Sequence, residues 1–156
     1  MKTTEEKANF MRMFLISEIC ALEPDEKGLW GKMNAQQMIE HLGDAFRNYP
    51  EADHEKMRTP AEQLEKYRAF MMSEKPFRPD TVNPGLSSNP APPRFKSFEE
   101  SLDYLSESIE YFFSQFDDNP ETIIPNPVFG NLNYEEAVHL LYKHVTHHLI
   151  QFRIIG

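Results

Sequence analysis

Four times along the chain a short polar side chain stands three residues ahead of Glu or Gln: Asn34 and Gln37, Thr59 and Glu62, Ser97 and Glu100, Asn133 and Glu136. In such a capping box the first side chain accepts from an orphan backbone N–H of the first helical turn. The second reaches back to the cap's own N–H. The pattern therefore marks helix starts, and apolar residues recur at intervals of three and four around it. Phe10, Phe14 and Ile19 form one such stripe, and Leu102, Leu105, Ile109, Phe112, Phe113 and Phe116 another. Met33 and Met38 flank Asn34 as a hydrophobic staple, and Pro60 suits a first helical position, where its missing N–H costs nothing. With the N-terminal segment included, the sequence predicts five helices, at about 3–22, 34–49, 60–73, 97–116 and 133–153.

No stretch alternates as a strand would. The apolar piece around Ile123 and Ile124 is interrupted by Pro125 and Pro127, which argues against a central strand. Residues 76–93 carry six prolines and no periodicity, and are read as a long loop wrapping one small core. Helices 3–22 and 34–49 are close in sequence and are expected to be antiparallel. The long 48–97 connection lets the next core helix run parallel to the second. The expectation is an all-α chain: a four-helix bundle with an extra short helix, 60–73, and the Pro-rich loop in its crossover.

At 156 residues the chain is read as a single domain, 1–156. Its net charge of −9 repels phosphate backbones, and no run of basic residues offsets that, so nucleic-acid binding is disfavoured. The N-terminal segment, with Arg12 and Glu18 inside it, is neither a signal peptide nor a membrane span, and a cytoplasmic location is expected. The lone Cys20 allows no internal disulfide. It lies in an apolar run and is read as a buried structural thiol.

Histidines supply the chemistry. His144 and His148 are four apart on the last predicted helix, and Gln151 follows on the same face, about 20° away from His144. That face continues through Ala137, Leu141 and Val145, so the imidazoles point inward. Lys143, Thr146 and Arg153 are expected on the opposite side, with His139 facing away and His147 at the edge. Two imidazoles at this spacing can aim one nitrogen each at a common ion. On the second helix His41 borders the stripe of Met38, Leu42, Ala45, Phe46 and Tyr49. Three inward imidazoles need partners, either in a hydrogen-bonded core or on a shared metal. Three protein ligands with an open position is the arrangement of a catalytic metal site. Gln151 could hold a ligand imidazole from behind, or be a plain helix-end residue. His147 and Asp44 are further candidates for supporting the ligands from outside, a solvated surface role being the simpler reading of Asp44. Trp30 is read as a packing anchor and His54 as exposed.

The segments W-G-K-M-N-A-Q-Q-M-I-E-H-L (30–42), N-P-V-F-G-N-L-N-Y-E-E (126–136) and K-H-V-T-H-H-L-I-Q-F (143–152) resemble the DinB/YfiT-like superfamily of metalloenzymes, in a branch carried as a domain of unknown function. The resemblance spans about residues 5–153. It implies an up-down-down-up four-helix bundle whose metal is held by one histidine on the second helix and an H-x-x-x-H pair on the last. His41, His144 and His148 occupy those positions, and Gln151 matches the glutamine that commonly follows them. Helix 60–73 and the Pro-rich stretch are not core features of that pattern.

By the same resemblance the cofactor is a divalent transition metal, zinc or nickel first and iron or copper within the range of the donors. The implied activity is a thiol-dependent S-transfer to a small electrophile, using a low-molecular-weight thiol. Metal-dependent hydrolysis is the rival within enzymes, and a non-catalytic metal-binding or interaction module the rival outside them. A small-molecule substrate is implied, and a homodimer is one state that the resemblance allows; the absence of a membrane span in the sequence points to no membrane partner.

Overall fold

A computed structural model describes residues 2–47, 59–79 and 90–156. The chain is mainly helical. Helix α1 (Thr4–Asn9) passes through a π-helical turn (Phe10–Phe14) into α2 (Leu15–Ile19). Then come α3 (Ala35–Phe46), a 3₁₀ turn (Ala61–Gln63) leading into α4 (Leu64–Met72), and α5 (Phe98–Asp118). A hairpin of β1 (Ile124–Asn126) and β2 (Gly130–Leu132) precedes α6 (Tyr134–Gln151). His54 and Tyr49 lie outside the described residues, as do the predicted end of the second helix and residues 80–89 of the Pro-rich stretch.

Three of the four predicted starts are capped as the sequence implies. Asn34 and Asn133 form complete capping boxes with Gln37 and Glu136. Ser97 accepts from the Glu100 N–H at 3.1 Å, while the Glu100 carboxylate turns to the Lys96 N–H instead of closing the box. The fourth start is different. Thr59 caps nothing: its hydroxyl is buried, and the chain enters the 3₁₀ turn at Ala61 from an extended Pro60. The first helix also departs from a plain α-helical stripe. The wide turn at Phe10–Phe14 shifts the phase, so Met11 and Leu15 are buried and Phe14 is 54% exposed. Cys20, just past the end of α2, is exposed rather than buried.

Side-chain pairs give the helix directions. Gln36 meets Ser101, Asp44 meets Tyr104 and Arg47 meets Ser108, so α3 and α5 run parallel. Gly43 permits their close approach, since a Cβ there would stand 2.5 Å from the Tyr104 ring. Trp30, ahead of α3, meets Gln151 at the end of α6, while His41 meets His144, so α3 and α6 are antiparallel. Lys7 pairs with His139 and Phe10 with Tyr142, which sets α1 parallel to α6. Between these elements lies a core that includes Leu15, Met38, Leu42, Phe112, Val145 and Leu149. Burying each such side chain fully contributes about 1.5–3 kcal/mol.

The hairpin is the strand content that the alternation test missed. Ile124 pairs with Leu132 and Asn126 with Gly130. A two-stranded ribbon has only edges, so Pro125 is tolerated there. Asn126 closes the turn by accepting from the Val128 and Phe129 N–H groups. Arg68 of α4 then donates to the Phe129 and Asn131 carbonyls and pairs with Glu136, clasping the hairpin to the start of α6.

Part of the face of α6 opposite the histidines is covered too. Lys143 is buried and donates to the Phe70 carbonyl at 2.5 Å and the Ser73 carbonyl at 3.2 Å, a cation at the C-terminal end of α4 where the helix dipole favours one. His139 is buried as well, 2.5 Å from the Lys7 ammonium through Nδ1 and 3.2 Å from the Ser73 carbonyl through Nε2. An ammonium donates to Nδ1 and a carbonyl accepts from Nε2, so this imidazole is neutral. Helices α1 and α4 pack on that side, which the periodicity of α6 alone does not reveal.

On the other side Glu40 is 4% exposed and accepts from the Arg94 N–H at 2.8 Å and the Ser101 hydroxyl at 2.8 Å. It thereby fastens the chain returning at 90–97 to α3. Glu40→Ala should cost about 2–4 kcal/mol in urea denaturation, since it strands a buried hydroxyl and a backbone N–H. Glu99→Ala on the solvent side should change stability by less than about 0.5 kcal/mol, and equal costs would refute the role of Glu40.

A second expectation concerns acid. Burial, then the Lys7 charge, hold His139 below its ordinary range, against an opposing hydrogen bond to Ser73. Its contribution is complete above the unfolded value near 6.5 and is lost as pH falls through the lower folded one, at up to about 1.4 kcal/mol per unit. His139→Asn should therefore flatten the fall in Tm between pH 7 and 5, and an unchanged slope would remove His139 from the account.

Candidate metal centre

The antiparallel seam between α3 and α6 brings the three predicted histidines together. His41 Nε2 lies 2.9 Å from His144 Nε2. The ring centroids of His41 and His148 are 5.1 Å apart, and those of His144 and His148 4.8 Å. One nitrogen from each of the three lies within 4.8 Å of the others, a grouping that could hold a metal ion. The local reasons are simple. The box at Asn34 starts α3 nearly two turns before His41, and the box at Asn133 starts α6, so both helices enter the seam in fixed phase.

Gln151 determines which nitrogen His148 offers. Its Nε2 donates to the Trp30 carbonyl at 2.8 Å, and a carbonyl only accepts, so the amide orientation is fixed. Its Oε1, 2.7 Å from His148 Nδ1, must then accept a hydrogen bond from an Nδ1–H. The neutral His148 ring therefore carries its hydrogen on Nδ1 and its free lone pair on Nε2, the tautomer a ligating imidazole needs. The Leu29 N–H donates to the Gln151 carbonyl at 2.8 Å, so the loop before α3 grips this residue twice. Gly28 allows the grip: a Cβ there would stand 2.7 Å from Gln151 Cγ. Helix α6 stops directly afterwards, with the Ile154 N–H returning to the Leu149 carbonyl and Arg153 left-handed at φ 64°.

Electrostatics keep the cluster uncharged. Burial pushes His144 and His148 well below the ordinary histidine range, and repulsion from neighbouring imidazoles adds to it. Burial lowers His41 too, with Asp44 working in the opposite direction. Two facing ring nitrogens 2.9 Å apart need a proton or a cation between them, because their lone pairs repel. Nitrogens bound to one tetrahedral ion at about 2.0–2.1 Å stand about 3.3 Å from each other. The 2.9 Å pair and the 4.8 Å limit on the whole group lie on either side of that value, so the donor set could hold a metal ion.

The other candidates fall around this cluster. Among the described residues His147 lies outside the three-histidine group, with its ring 5.3 Å from Trp30, 6.1 Å from Phe77 and 5.1 Å from His148. Asp44 accepts from the Tyr104 hydroxyl at 2.6 Å and from Arg94 at 2.7 Å, so it acts on His41 through its charge. Burial, then that bond to Asp44, raise the Tyr104 phenol to about 12. Trp30 contributes a carbonyl as well as a ring. Sequence reasoning passed over Glu40, Gly28 and the Trp30 carbonyl. For Glu40 a signal was present, an acid four residues after Gln36 beside an inward stripe. A backbone carbonyl and a close approach leave no mark in the side-chain pattern.

A family model described as the DinB superfamily matches residues 16–152, most of the chain. The chain belongs to the DinB superfamily. No curated protein and no solved structure matches it. For this DinB-superfamily chain, the family match and the three-histidine cluster are compatible with a metal-dependent enzyme.

The grip on Gln151 generates a prediction. Gly28→Ala should displace that side chain and weaken zinc binding about 10–100-fold, as loss of a partner behind a ligand histidine does. Gln151→Leu should do the same by calorimetric titration, and wild-type affinity in both variants would show that Gln151 does not orient His148.

Proposed function

We propose that the chain is a metal-dependent enzyme in which His41, His144 and His148 hold one divalent transition ion, and that it transfers a low-molecular-weight thiol to a small electrophile. The facing of two Nε2 atoms at 2.9 Å in a buried seam carries the reading. A third imidazole, its tautomer fixed by Gln151, joins them. A cation held there supplies Lewis acidity at neutral pH with a coordination position left for a small molecule. The chain's own residues do the rest. Gln151 keeps His148 in its ligating tautomer, and Asp44 places a negative charge near His41.

The same reading takes the fold as an up-down-down-up four-helix bundle. The parallel pairs α1–α6 and α3–α5 and the antiparallel pair α3–α6 support it. It also takes the chain as one domain working in the cytoplasm. Among the described residues no helix is long and apolar enough to cross a membrane.

Protein purified without a histidine tag should carry about one transition metal per chain by elemental analysis. His148→Ala should lose most of that metal and at least about 100-fold of any turnover. Full metal in the variant would end the three-histidine assignment. A metal-loaded wild type inert towards every thiol and electrophile pair in a broad screen would end the transferase reading, and hydrolysis of an activated ester by the same protein would favour the hydrolase.

A further inference from the structure

Further along the two helices the packing leaves a gap. A cavity of about 240 Å³ opens where α3 and α6 meet α5 and the hairpin. Ala45 on its wall lies one turn after His41, and Leu140 and Leu141 lie one turn before His144. Residues four apart share a helix face, so the cavity begins about 5–6 Å along the same seam from the imidazoles. Its lining is mixed, with Phe112, Leu132 and Leu141 among the apolar residues and Arg47, Gln115 and Asn126 among the polar ones. A void of about 150 Å³ suffices for benzene, so this one has room for a single ring with a short side chain.

Its polar end is selective. In a chain of net charge −9, the lining contains, among the described residues, one cation, Arg47, and no carboxylate. Arg47 Nε donates to the Ser108 hydroxyl at 2.7 Å, and the guanidinium lies over the Tyr104 and Tyr111 rings at 5.2 and 5.1 Å. Among the described residues no carboxylate pairs with it. Its two terminal nitrogens are thus held in place by Nε and the rings without a counter-ion, the fork geometry that takes a carboxylate through two parallel hydrogen bonds. Asn126 adds to this: its Oδ1 is spent on the hairpin turn, which leaves its amide N–H groups as donors on the wall.

We propose that this cavity is a substrate pocket for a small monocyclic or branched carboxylic acid, with Arg47 taking the carboxylate and the opposite end of the molecule directed to the His41 and His144 side. The use of the bound acid rests on the enzyme reading above, whereas its binding does not require the metal. The electrophile of that reading is then itself an acid. An amide, ester or alcohol of the same shape leaves the guanidinium without its partner and is disfavoured.

The test is a paired titration of full-length protein with 3-phenylpropionate and its neutral isostere 3-phenylpropanamide, followed by NMR, with metal content measured on every sample. The acid should bind at least about tenfold more tightly than the amide. Arg47→Met should erase that difference and leave amide binding in place. Leu140→Phe, which fills the wall, should weaken both ligands, and neither variant should lose metal. Should Arg47→Met fail to fold, Arg47→Lys keeps the charge without the fork, and the acid's advantage should shrink without vanishing.

Equal binding of acid and amide, or an advantage that survives Arg47→Met, would overturn the proposal. So would acid binding that disappears in His148→Ala with Arg47 intact, because the carboxylate would then sit on the metal. A metal-free protein that still shows the Arg47-dependent preference would leave the pocket standing while removing the metal-dependent function.

Discussion

Two imidazole nitrogens held face to face inside a helix seam form a contact that lone pairs alone do not tolerate, and the architecture around it keeps it in place. The capping boxes at Asn34 and Asn133 fix where α3 and α6 begin, and hence which residues meet across the seam. Glu40 holds the returning chain against one flank of α3. On the outer flank of α6, Lys143 and His139 bond to Ser73 and Lys7, so α4 and α1 press the helix inward. Breaking a buried polar contact of this kind costs more than forming it contributes, and the seam is bounded by such contacts on both sides.

Much of this was legible in the residues. Helix starts at Asn34, Ser97 and Asn133 were readable because a cap is a local event between side chains three apart. The convergence of His41 with His144 and His148 was readable because helical spacing assigns each to an inward face, and the family resemblance pointed the same way. What escaped depended on the third dimension. The face of α6 bearing His139 and Lys143 looks solvated on a wheel, and only the packing of α1 and α4 makes it interior. The π turn moved Phe14 outward, because one added residue rotates every later position by about 100°. The hairpin escaped because three-residue strands are too short to alternate, and its prolines argued the wrong way for a ribbon made of edges.

The geometry of the cluster is set behind the three histidines as much as by them. A histidine offers two nitrogens, and an amide whose own orientation is unconstrained could stabilise either tautomer. Here the Trp30 carbonyl settles the amide, the amide settles His148, and a glycine in the preceding loop makes room for the amide. The information runs from main chain to side chain to lone pair. Mutating the ring of Trp30 would therefore leave most of that chain of constraints untouched, since the atom that matters belongs to the backbone.

The carboxylate of Glu40 has a consequence for how this protein can change. By gripping the backbone at Arg94 it makes the re-entry point of the long connection independent of the path taken to reach it. Insertions or deletions upstream of that point need not disturb α3, since the mechanical load of a longer or shorter tether ends at the clasp. A change of length ahead of the clasp thus leaves the helices that carry the three histidines in register.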